Sequence, residues 1–125
     1  SFGRAMAEAN AGATIGLIPC AVGGTPLSRW SKGGDLYQQA LERAKLALKD
    51  GTLKGILWHQ GEADSGNERL ATSYGERLAK MVKDLRADLG AGETAGGCSG
   101  GTGALMLAVR PIGSRVGTKT SFGGT

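Results

Sequence analysis

The amino-acid sequence predicts an α/β protein with a partial parallel sheet, followed by a Gly-rich C-terminal tail. Apolar runs of strand length alternate with amphipathic segments of helical length, in the order helix, strand, helix, strand, helix. This order is typical of parallel strands joined by right-handed crossovers. The first strand is a continuous apolar run, as expected where helices cover both faces of a sheet. Beyond position 90 the composition changes, since ten of the 23 glycines lie there.

The first 26 residues predict one helix, one strand and a glycine loop. Residues 1–10 form a short helix with one apolar face, made by Phe2, Ala5, Met6 and Ala9. Residues 14–22 form the first strand, and Pro19 marks a strand end or an edge. Gly23 and Gly24 follow it, and two glycines there either point N–H groups at a ligand or form a plain turn.

Residues 35–49 predict the second helix. Asp35 is its N-cap and Gln38 stands at the capping-box position. Gly51 supplies the C-terminal stop. One face is apolar and the opposite face is charged, so the charges indicate a solvated surface rather than a binding site.

Residues 53–64 are the most informative stretch, because an apolar strand ends there in a cluster of polar groups. Its apolar part predicts a short buried strand, and ligands bind at the carboxyl ends of such strands. The polar residues at that end are His59, Gln60, Glu62 and Asp64, with Gly61 among them. Strand alternation places Gln60 on the face of Trp58 and His59 on the opposite face.

Residues 65–90 predict one long amphipathic helix. Ser65 and Glu68 have capping-box spacing, apolar residues recur at helical intervals up to Leu89, and Gly90 ends the helix. Residues 91–125 then form a separate tail that we do not expect to share the evolutionary origin of residues 1–90. Only residues 104–109 of that tail are apolar enough for a strand.

Composition argues against several functions. The net charge of +4 is spread out, without a basic run interleaved with aromatics, so nucleic-acid binding has little support. No apolar stretch approaches the ~20 residues that span a membrane. Cys20 and Cys98 lack metal-ligand spacing, and nothing demands a disulfide between them. No cofactor motif and no signal peptide are recognised, so cytoplasmic and secreted locations both stay open.

Two motifs resemble the sialate O-acetylesterase and acetylxylan esterase branch of the SGNH hydrolases. One is Ile-Pro-Cys-Ala-Val-Gly-Gly-Thr at 18–25, followed by Trp30; the other is Trp-His-Gln-Gly-Glu-Ala-Asp at 58–64. The resemblance covers residues 2–90. It implies a three-layer α/β/α, flavodoxin-like fold with a parallel sheet. It also implies cleavage of acetyl esters on sugars through a Ser-His-Asp type triad.

The resemblance also implies an oxyanion hole, formed by the N–H of Gly24 or Gly23 and the side-chain amide of Gln60. Fixed N–H donors stabilise the negative charge that develops on the carbonyl oxygen during acyl transfer. Glu62 is expected to orient its neighbours by hydrogen bonds. The residues expected to bind substrate are Gly23, Thr25, Trp30 and Asp64. The alternative for Gln60 and Glu62 is that they cap the helix that follows.

The sequence departs from the family pattern at both catalytic ends. It has no Gly-Gln-Ser-Asn type block before the first helix and no Asp-x-x-His type block near its end. It therefore looks like the middle of an esterase. An improvised triad would have to use His59, the single histidine, with Ser28 or Ser65 as nucleophile. The opposite orientation of His59 and Gln60 argues against that triad.

Three functions remain open from the sequence. The first is hydrolysis of small acyl or O-acetyl carbohydrate esters, without a cofactor or metal. The second is a non-catalytic fragment of such an esterase, as a homo-oligomer that covers its exposed sheet edges. The third is a binding module whose Gly-Gly loop holds an anion.

Overall fold

The computed structural model describes residues 2–90, 95–98 and 104–111. Helices and strands alternate through the first 90 residues, and two strands follow in the tail. In chain order the elements are α1 Phe2–Ala9, β1 Gly16–Pro19, a 3-10 turn Leu27–Trp30, α2 Asp35–Ala47, β2 Gly51–His59, α3 Glu62–Ser65, α4 Glu68–Thr72, α5 Tyr74–Asp88, β3 Ala95–Cys98 and β4 Ala104–Pro111.

The sheet is mixed, with the strand order β1-β4-β2-β3. β3 lies parallel to β2, but β4 is antiparallel to both β1 and β2. The predicted α/β class is thus confirmed in its mixture of helices and strands, whereas the all-parallel sheet is wrong. The reason is that the apolar tail segment, as β4, pairs with both β1 and β2 and satisfies their backbone groups. β1 and β2 still run in the same direction, so their carboxyl ends lie at one edge.

The tail contributes more strand than its composition predicts. The strand predicted at 104–109 is confirmed as β4, and β3 is an addition that the sequence did not indicate. The remainder of the tail lies outside the described residues. The division into units at residue 90 and the three-layer arrangement stay predictions.

The core lies on one face of the sheet, beneath α2, α5 and the 3-10 turn. A bulge at Lys54 shifts the alternation of β2, because Leu53 pairs with Val109 and Gly55 with the next residue, Ala108. The extra residue brings Leu53 to the same buried side as the later apolar residues of β2. The buried apolar residues are Cys20, Leu27, Trp30, Leu36, Tyr37, Ala40, Leu41, Ala44, Leu53, Ile56, Trp58, Met81 and Leu85.

The start of α2 differs from the prediction. Gly34, not Asp35, is the N-cap, and Asp35 is the first helical residue. Its carboxylate pairs instead with the guanidinium of Arg29 in the 3-10 turn. Gly34 packs so closely that an added Cβ would lie 2.3 Å from the Arg29 carbonyl oxygen. The close approach of the turn therefore fixes where α2 begins.

The single long helix predicted after residue 65 is wrong, because the chain forms two helices there, α4 and α5, with Ser73 between them. The Ser65 hydroxyl belongs to α3 and donates to the Glu62 carbonyl at 2.8 Å, so it does not cap the next helix. Asn67 caps α4 instead, accepting the Leu70 N–H at 3.1 Å. Gly90, at φ +63°, ends α5 as predicted. No helix in the described ranges is long and apolar enough to cross a membrane.

Candidate active site

The two loops that follow β1 and β2 meet at the carboxyl edge of the sheet. The side-chain amide nitrogen of Gln60, directly after β2, donates to the carbonyl oxygen of Thr25 at 3.0 Å. Gly23 and Gly24 precede Thr25 and are exposed. We call these three residues, Gly23, Gly24 and Gln60, the rim. The positive φ of +69° at Gly24 is a conformation that favours glycine, so the turn there depends on this residue.

The Gln60 amide is held in one orientation. Its side chain is 4% exposed. Its nitrogen donates to Asp64 Oδ2 at 2.8 Å as well as to Thr25. Its oxygen Oε1 lies 2.6 Å from the hydroxyl of Tyr74, and that hydroxyl oxygen accepts the indole N–H of Trp58 at 3.0 Å. Acceptors at one end and a donor at the other leave the amide a single favourable orientation.

The Asp64 carboxylate is buried and fully engaged, with the side chain 1% exposed. Oδ2 accepts the backbone N–H of Leu27 at 2.9 Å, besides the Gln60 amide, and Oδ1 accepts a guanidinium N–H of Arg77 at 2.9 Å. Burial raises the pKa of Asp64, but the hydrogen bonds from Leu27, Gln60 and Arg77 outweigh it. The net pKa therefore lies below its ordinary value. The group is a charged anchor that joins the two loops to α5.

The glycine loop is also supported from inside. The hydroxyl of Thr25 accepts the indole N–H of Trp30 at 2.9 Å and donates to the carbonyl of Val22 at 2.9 Å. Trp30 packs edge-on against Trp58, with ring centroids 5.6 Å apart at 86°. The indole of Trp30 therefore supports the glycine loop through Thr25. The indole of Trp58 supports Gln60 through the hydroxyl of Tyr74.

Some of the predicted site residues are exposed at the surface, and others are buried beneath it. Thr25, Trp30 and Asp64 are 4%, 1% and 1% exposed, so their burial does not support the predicted contact with substrate. Glu62 is exposed at the start of α3. His59 is half-buried while Gln60 is buried, which agrees with the predicted alternation along the strand.

Two residues of the site were not identified from the sequence. Neither Tyr74 nor Arg77 was singled out. Their spacing of three places them on the same helical face, a signal the sequence carries. The loop that this face contacts was not evident, because Asp64, the partner of Arg77, lies 13 positions earlier in the chain.

The serines predicted as nucleophile candidates, Ser28 and Ser65, have different surroundings. Ser65 donates to a carbonyl of its own helix, and Ser28 is exposed on the 3-10 turn. The identity of a nucleophile stays a prediction. Among the described residues, no group of three His, Cys, Asp or Glu side chains can hold a metal ion.

We expect acid to destabilise the protein partly through Asp64. Because its pKa is lower in the folded state, its stabilising contribution is full above the unfolded-state value of about 3.9 and is lost as the pH falls through the folded-state value. Urea unfolding at pH 7, 5, 4 and 3 measures the effect. Asp64→Asn should lose less stability over the acid range than the wild type. Equal losses would contradict this expectation.

Comparisons with known proteins identify related sequences. A family model described as "Carbohydrate esterase, sialic acid-specific acetylesterase" matches residues 1–95. The protein named "Probable carbohydrate esterase At4g34215", from Arabidopsis thaliana, is 41% identical over 96 residues. That match covers 70% of this chain and 37% of the relative, so the chain spans well under half of the relative's length. No solved structure matches.

Proposed function

The chain belongs to the carbohydrate esterase family of sialic acid-specific acetylesterases, and from this premise we propose that it forms the oxyanion side of an ester hydrolase site. The substrates are small acyl or O-acetyl esters of carbohydrates. The observation that carries the proposal is the hydrogen bond of 3.0 Å from Gln60 to Thr25. It brings the two family motifs together at the carboxyl edge of the sheet, which is where the proposal needs them.

The chemistry needs donors where negative charge develops. Acyl transfer turns the ester carbonyl oxygen into an oxyanion, and backbone N–H groups of Gly23 or Gly24 with the Gln60 amide suit it. Both N–H groups of Gln60 have acceptors within the protein, Thr25 at 3.0 Å and Asp64 at 2.8 Å. The longer bond, to the neutral Thr25 carbonyl, is the one that an oxyanion replaces. The bond to the charged Asp64 keeps the amide in place.

Other residues have supporting parts in this proposal. Glu62, exposed beside the rim, orients neighbouring groups by hydrogen bonds and does not attack substrate. In this proposal His59, which is half-buried beside the buried Gln60, does not act as the base of a triad. A three-layer arrangement and a Ser-His-Asp type triad belong to the proposal for the whole esterase.

A second candidate is a non-catalytic part of such an esterase, which holds an ester carbonyl without turnover. The favouring observation is that the hydroxyls of Ser31, Ser65 and Ser73 donate to backbone carbonyls, at 3.1, 2.8 and 2.8 Å. A nucleophilic hydroxyl needs a base instead. Assembly into a homo-oligomer belongs to this candidate.

We expect Gln60→Ala to lower kcat/KM for a chromogenic acetate ester by roughly 100-fold or more, because removing one oxyanion donor costs about 3 kcal/mol. Gln38→Ala removes a matched amide from the exposed side of α2 and should leave the rate unchanged. His59→Ala, assayed beside them, should retain most of the activity.

Hydrolysis by the wild type that equals the buffer rate would reject turnover by this chain. In that case, amide signals of Gly23 and Gly24 that shift with an acetylated sugar would favour the second candidate. Equal rates for Gln60→Ala and the wild type would remove Gln60 from the mechanism.

A further inference from the structure

We propose that Arg77 is a positioning residue for the rim, which acts through the buried Asp64 carboxylate on both the Gln60 amide and the loop after Gly24. Its importance for catalysis rests on the proposed function. The link between Arg77 and the rim can be tested without any turnover.

The guanidinium of Arg77 is fixed from several sides. One terminal nitrogen donates to Asp64 Oδ1 at 2.9 Å and to the carbonyl of Leu70 at 2.8 Å, and Nε donates to the hydroxyl of Ser73 at 3.2 Å. Its central carbon lies 5.9 Å from the centroid of the Tyr74 ring. A planar group with partners in fixed directions holds the carboxylate in place, which a flexible ammonium does less well.

Asp64 passes this constraint to the rim. Its other oxygen, Oδ2, accepts the N–H of Leu27 at 2.9 Å and the amide of Gln60 at 2.8 Å. Leu27 opens the 3-10 turn two residues after Thr25, which itself accepts from Gln60. A movement of one carboxylate would therefore displace both sides of the rim together.

The charge of Arg77 is part of this role. Asp64 is 1% exposed, and a buried carboxylate without a countercharge is strongly destabilised. Within the described ranges, Arg77 from α5 is the charged side chain paired with Asp64, whereas Leu27 and Gln60 offer neutral N–H groups. Without the guanidinium, the carboxyl group takes up a proton at higher pH. It then loses acceptor strength toward Gln60.

The experiment follows the side-chain amide signals of Gln60 in ¹H–¹⁵N spectra between pH 8 and pH 4. In the wild type and in Arg69→Gln, the signals should stay in place down to about pH 5, above the ordinary range of a carboxyl group. In Arg77→Gln they should shift or disappear at a higher pH. Arg69 is exposed on α4, so its replacement removes the same charge away from the site.

Arg77→Lys keeps the positive charge but loses the planar shape of the guanidinium, so it separates the effects of the two. It also provides the test if Arg77→Gln does not fold. It should restore most of the wild-type pH profile, because it keeps the positive charge. Matching profiles for Arg77→Gln and Arg69→Gln would overturn the proposal. So would an Arg77→Lys profile that departs from the wild type as far as that of Arg77→Gln, or Gln60 signals in Arg77→Lys that are lost at every pH.

Activity gives an independent readout that distinguishes this inference from the proposed function. If the wild type hydrolyses an acetate ester, Arg77→Gln should lower kcat by up to about 100-fold, with little change in KM, because misplaced donors weaken transition-state binding. An unchanged kcat would contradict a role in the reaction. If the wild type is inactive, the proposed turnover fails, and the Gln60 signals alone still decide whether Arg77 positions the rim.

Discussion

Asp64→Ala is expected to lower the free energy of unfolding by about 3–5 kcal/mol, because each buried donor that is left without its acceptor costs about 1–3 kcal/mol. The substitution removes the acceptor of Leu27 N–H, the Gln60 amide and the Arg77 guanidinium. A domain of this size has a total stability of about 5–15 kcal/mol, so the variant should be marginally folded.

Urea unfolding at pH 7 measures this loss. Asp64→Asn should lose less stability, because the Asn side chain has the same size and keeps one acceptor oxygen. Asp50→Ala removes an exposed carboxylate just before β2 and should change stability by less than about 0.5 kcal/mol. If Asp64→Ala were as stable as Asp50→Ala, Asp64 would not anchor the loops.

Trp30→Ala is expected to cost about 3–5 kcal/mol, as is typical of large aromatic deletions in a core. Trp30 is 1% exposed and packs edge-on against Trp58. Its indole N–H also donates to the Thr25 hydroxyl at 2.9 Å. The deletion therefore leaves a cavity and removes support from the glycine loop.

Thermal and urea unfolding of Trp30→Ala test this expectation. Trp30→Phe keeps most of the apolar contact and loses the hydrogen bond to Thr25, so it should be intermediate. Leu46→Ala, in a side chain that is 64% exposed on α2, serves as the surface control and should be nearly neutral. A Trp30→Ala variant as stable as this control would contradict the assignment of Trp30 to the core.

The parts of the fold that depend on local patterns could be predicted from the sequence. The apolar run that ends in His59 and Gln60 predicted β2 with Gln60 at its carboxyl end, since a strand pattern and its polar end are local features. The second helix was predicted within a few residues, and Gly90 ended the last helix as expected. The meeting of both motifs at one edge followed from strands that run in the same direction.

The parts of the fold that depend on residues distant in the chain could not be predicted from the sequence. Nothing local shows that β4 inserts between β1 and β2, or that a bulge at Lys54 turns Leu53 inward. The long helix is interrupted at Ser73, which lies between α4 and α5, and a periodic apolar pattern does not reveal this break. Long-range pairing and competing caps override such patterns.

The candidate site shows the same limit. The sequence placed Asp64 beside substrate because it stands next to polar neighbours at the end of a strand. Its inward direction is set by Arg77, 13 positions further along the chain, and by the N–H of Leu27, 37 positions earlier. Such partners are known only once the helix and the turn are in place.

The most direct measurement is the through-hydrogen-bond coupling between the side-chain nitrogen of Gln60 and the carbonyl carbon of Thr25. The two motifs are linked at one edge of the sheet if this hydrogen bond, 3.0 Å between nitrogen and oxygen, exists in solution. A measurable coupling, with contacts between the Gln60 amide protons and the Thr25 backbone, is the expected result. Amide protons of Gln60 that exchange freely with water and show no contact to Thr25 would contradict a shared rim.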